Sequence, residues 1–60
     1  MSLILSPNIP DPDGFYETLI NAHEGLTKDE SDALNARLIL ILANHIGDRA
    51  VLAAALKAAS

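Results

Sequence analysis

Thr27-Lys28-Asp29-Glu30-Ser31-Asp32-Ala33-Leu34-Asn35-Ala36-Arg37-Leu38-Ile39-Leu40-Ile41-Leu42-Ala43-Asn44-His45-Ile46-Gly47 decides the fold. Its first four residues spell a capping box. The Thr27 hydroxyl can accept from the Glu30 amide while the Glu30 side chain reaches back. Asp29, Glu30 and Asp32 suit the positive end of a helix dipole, and Gly47 supplies a left-handed terminator. The stretch therefore predicts one helix over residues 28–46. Leu34, Leu38, Ile41, Leu42, His45 and Ile46 trace its main apolar stripe, with Ile39 at the border. At about 100° per residue the stripe spans roughly 160°. Leu40 falls on the opposite side, ringed by Ala33, Ala36, Ala43 and Asn44. Small residues around one leucine let another helix approach closely, so Leu40, Ala36, Ala43 and Ala33 are the interface candidates.

Outward from that helix the punctuation continues. Asp11 before Pro12 reads as an N-cap with proline at the first helical position. Phe15, Tyr16, Leu19, Ile20, Ala22 and His23 then share one helical face, and Gly25 ends it, which predicts a helix over residues 12–24. After Gly47, Asp48 can cap a third helix over residues 49–59, with Val51, Leu52, Ala55, Leu56 and Ala59 inward. Pro7, Pro10 and Pro12 keep the first ten residues extended or irregular. The expectation is all-α: a helical hairpin, a short C-terminal helix and a Pro-containing leader. These form a single small domain, residues 1–60, assembled as an oligomeric helical bundle.

Composition agrees. Ten leucines, ten alanines and six isoleucines stand against one Phe, one Tyr, one Val and no Trp among the 60 residues. Leu and Ala favour helix, and such a set is a poor start for a sheet. Without cysteine there is no disulfide, no thiolate zinc site and no thiol nucleophile. The net charge of −4 argues against a nucleic-acid partner, whose footprint is basic. Residues 1–32 carry seven acids and one base, whereas residues 33–60 carry three bases and one acid. That asymmetry can orient two copies head to tail or select a basic partner. No basic residue precedes the short apolar stretch at residues 3–5, and the run at residues 38–43 is far short of the roughly 20 residues of a membrane span. A soluble cytoplasmic protein without a membrane partner is expected.

Two segments carry a family likeness. The runs Asp13-Gly14-Phe15-Tyr16 through Ala22-His23-Glu24-Gly25-Leu26, and Leu34-Asn35-Ala36-Arg37-Leu38 through Ala43-Asn44-His45-Ile46-Gly47-Asp48, resemble a family of very short bacterial proteins. That family is defined only as a domain of unknown function. The likeness covers about residues 8–56. Proteins of this kind are often encoded beside flavin-dependent aromatic hydroxylases, which implies a genomic context and no activity. A looser likeness, through Gly25-Leu26-Thr27, Glu30, Ala33-Leu34, Ala36-Arg37, Leu42, Ile46-Gly47 and Leu56-Lys57-Ala58-Ala59, is to the small alpha subunit of extradiol protocatechuate dioxygenases. It implies a helical lid over a larger iron-bearing subunit. This chain departs from it in Asp48 and in its shortness.

Polar candidates for a site are few. His23 and His45 each fall in an apolar stripe at the last turn of a helix, where a histidine caps carbonyls or packs against neighbours. In an antiparallel hairpin they lie on the order of 25 Å apart, from seventeen residues of helix rise, so one copy does not use them together. Asn35 lies within the main stripe and Asn44 borders Leu40; a buried asparagine can fix the register of packed helices. Tyr16 can place its hydroxyl near His45 if the start of the first helix faces the end of the second. Neither a nucleophile triad nor a glycine-rich phosphate loop is spelled out, and no cofactor or metal set is expected. The sequence points to a non-catalytic helical accessory or interaction module. Its partner is a second copy or a larger protein.

Overall fold

A computed structural model describes the chain from Met1 to Ser60. It is all-helical, with α1 at Pro12–His23, α2 at Lys28–Ile46 and α3 at Arg49–Ala59. Local chemistry places every boundary. Asp11 caps α1, its Oδ1 accepting from the Gly14 amide at 3.2 Å, and Pro12 occupies the first turn. Asp11 adopts the left-handed region with φ 51°, which aspartate tolerates better than most side chains. α1 ends one residue before the predicted Glu24, which serves as its C-cap.

The capping box of α2 is complete. Thr27 Oγ1 accepts from the Glu30 amide at 3.2 Å, and the Thr27 amide donates to Glu30 Oε1 at 2.9 Å. Gly47, at φ 69°, closes α2 with its amide donating to the Ala43 carbonyl at 2.9 Å. Only glycine adopts that conformation without penalty. Asp48 then starts α3, its Oδ1 accepting from the Ala50 and Val51 amides. The two-residue link turns the chain sharply enough for α3 to fold back on α2.

Packing is where expectation and structure part. The main contact between helices is α2 with α3, whereas α1 meets the rest of the fold sparsely. Val51, at 7% exposure, is the one buried residue. Leu34, Leu38, Leu52 and Ala55 are half-buried, as is Leu3 from the leader. Met1, Ser2 and Leu3 lie along Ala50, Val51 and Ala54, whose small side chains leave room for an extended strand of backbone. Ile41, at 65%, and Leu42, His45 and Ile46 remain exposed, although the stripe predicts them inward. Leu56 and Ala59 on α3 do the same. Two short flanking helices do not have the circumference to cover α2.

The consequence shows in area and shape. A compact 6.4 kDa chain exposes about 3,800 Å² by ordinary surface scaling, whereas this one exposes 5282 Å². Its radius of gyration is 13.2 Å, against about 10.4 Å for a compact domain of this length. No helix is long and apolar enough to cross a membrane.

Candidate functional site

The most distinctive surface is a cleft between the second half of α2 and the length of α3. Ile39, Leu42, Ala43 and Ile46 form one wall, and Leu52, Ala55, Leu56 and Ala59 form the other. It is open to solvent, with a volume of about 460 Å³, and every lining residue is hydrophobic. These positions recur at three and four residues on both helices, so each wall is one continuous helical face. Alanine supplies two of the four residues on the α3 wall. Leu56, 73% exposed, stands at the lip. The cleft offers apolar contact and no acid, base or ligand atom.

The interface candidates read from the sequence lie around the same helix. Leu40 is 70% exposed, and Ala33 and Ala36 are exposed beside it. Ala43 is half-buried and belongs to the cleft wall. Leu40 itself projects away from the cleft, about 100° further round α2 than Ile39. The sequence does not reveal the cleft, because it assigns Leu42, Ile46, Leu52 and Leu56 to the core and Ala43 to the Leu40 face. The signal was nevertheless present, in the matched spacing of Leu52, Leu56 and Ala59 with Ile39, Leu42 and Ile46.

The polar candidates are not brought together. His23 is half-buried, and its Nδ1 lies 2.9 Å from Ser31 Oγ, tying the end of α1 to the first turns of α2. That is the one side-chain hydrogen bond that joins two helices, and it identifies His23 as a structural link. The expected bond between Tyr16 and His45 is not formed. Both side chains are exposed, because α1 does not pack along α2. Asn35 and Asn44 are exposed on α2 without a side-chain partner. No group of three or more His, Asp or Glu side chains is assembled that could hold a metal ion.

Electrostatics around the helix starts is local. The Thr27 backbone amide, followed by the Thr27 hydroxyl, holds the Glu30 carboxyl below the usual carboxylate range. Lys28 and Asp32 pair at 2.8 Å on the exposed face of α2, a contact of small energetic weight in water. Both features belong to the helix start and not to a reacting centre.

Residues 3–60 match the family described as protein of unknown function, DUF2783. The chain belongs to that family. The match spans all three helices and both junctions, and so includes the cleft and the capping box of α2. No curated protein and no solved structure matches the chain. The looser likeness to a dioxygenase small subunit therefore gains no support.

Proposed function

We propose that this member of DUF2783 is a non-catalytic helical interaction module that acts by self-association. The observation that carries this reading is surface area. The chain exposes 5282 Å², about 1,500 Å² more than ordinary scaling gives for its mass. A specific interface buries about 800 Å² per partner, so the excess is enough to supply one. Large apolar side chains contribute to it: Ile39, Leu40, Ile41 and Leu56 are all more than half exposed. Large exposed apolar side chains on two helices favour burial against a partner.

Polar chemistry points the same way. The one inter-helix side-chain bond, His23 to Ser31, positions helices. The carboxylates at Asp11, Glu30 and Asp48 accept from backbone amides as caps. The test is the thermal unfolding midpoint as a function of protein concentration. Mass action raises the midpoint of a self-associating fold with concentration. A rise across the micromolar range is expected; an invariant midpoint contradicts the proposal.

A further inference from the structure

We infer that the N-terminal leader is a hinged strap: Asp11 is the hinge, and closure lays Leu3 on α3 beside Val51, the one buried residue. The strap needs no second copy and so stands independently of the self-association proposed above.

The three helix starts set Asp11 apart. Thr27 caps α2 from extended backbone at φ −70° and ψ 168°, and Asp48 caps α3 at φ −109° and ψ 108°. Extended backbone is the ordinary conformation of an N-cap. Asp11 caps α1 from the left-handed region instead, at φ 51° and ψ 62°, and is the one residue other than glycine with positive φ. A residue that precedes proline also prefers extended backbone, so the conformation is unfavourable on two counts. Capping does not demand it, since the extended caps of α2 and α3 accept from backbone amides in the same way. What the left-handed turn sets is the direction from which the leader enters α1. Rotation of Asp11 to the extended region would send the leader along another line, and Leu3 would leave α3.

The arm is stiff and its seat is small. Pro10 and Pro12 fix φ on either side of Asp11, and Pro7 does so further out. Redirection therefore concentrates at Asp11, as hinges concentrate at residues that end an element. At the far end Leu3 is half-buried, whereas Met1, Ile4 and Leu5 are exposed. One leucine thus holds the strap, beside Ala50, Val51 and Ala54, with an open gap of about 220 Å³ between leader and helix. Strain at one end and a single half-buried side chain at the other make the closed arm releasable. Release uncovers Ala50, Val51 and Ala54 together. The family match takes in the leader from residue 3, so the strap is part of the shared domain.

Methyl nuclear Overhauser spectroscopy on Asp11 variants separates hinge from cap. Glycine and threonine are about equal as N-caps. Glycine takes the left-handed region freely, whereas a β-branched side chain strongly disfavours it. Wild type and Asp11→Gly should show cross-peaks between the Leu3 and Ala54 methyl groups. Asp11→Thr should lose them with helical content retained. Persisting cross-peaks in Asp11→Thr would overturn the hinge, and their absence from the wild type would overturn the strap. Leu3→Asp leaves every helical residue in place and tests the seat even if the hinge variant fails to fold. Amide order parameters at Ile4, Leu5 and Ser6 should fall in that variant from a higher wild-type value to below about 0.6, the flexible range. Unchanged order parameters would overturn the seat at Leu3.

Discussion

His23 and Ser31 fasten α1 to α2: Nδ1 of the one lies 2.9 Å from Oγ of the other, across the turn at Gly25. Nothing comparable ties the start of α1, where Phe15 and Tyr16 stay exposed. α1 is thus anchored at one end, while α2 and α3 form the platform.

Removing the anchor should loosen α1 selectively. His23→Ala is expected to cost about 1 kcal/mol, the net worth of one hydrogen bond. Amide exchange should accelerate across Pro12–His23 while α2 and α3 keep their protection. Uniform acceleration in all three helices would mean that α1 is an integral part of the packed unit.

Glu30 makes the start of α2 sensitive to acid. Its carboxyl is held below the usual range by the Thr27 amide and then the Thr27 hydroxyl. A group depressed in the folded state adds stability above its unfolded pKa, and that stability is lost as pH falls through the folded value. Stability should therefore decline below the ordinary glutamate range, and Glu30→Gln should flatten that part of the decline. Thr27→Ala, which removes the cap hydroxyl, should cost about 1 kcal/mol at neutral pH. An unaltered acid limb in Glu30→Gln would show that the box does not govern it.

Gly14 offers a test in which local propensity and capping oppose each other. Alanine is favoured over glycine inside a helix by about 1 kcal/mol. Here a Cβ would collide with the Asp11 carboxylate that caps α1. Displacing that cap costs about 1 kcal/mol, so Gly14→Ala should leave stability nearly unchanged. A full stabilisation in chemical denaturation would mean that the cap contributes little.

The helices were legible in the sequence because their signals are local. Thr27 with Glu30, Gly47, and Asp48 with its two amides each act within four residues, so the chain around them suffices to place α2 and α3. Burial is a property of helix placement. The periodicity of Leu34, Leu38, Leu42 and Ile46 identifies a face but not the neighbour that covers it. Leu34 and Leu38 are half-buried, whereas Leu42 and Ile46 line an open cleft. Leu56 and Ala59 complete the α3 spacing and yet stay exposed along the same open cleft. The leader illustrates the converse. Leu3 carries no helical signal, and its half-buried place against Val51 and Ala54 depends on small residues some fifty positions away.

Self-association is the central claim, and mass in solution tests it most directly. Sedimentation equilibrium of the wild-type chain across the micromolar range should give twice the chain mass of 6.4 kDa, or a higher multiple. A single stable species of 6.4 kDa over that whole range would contradict it.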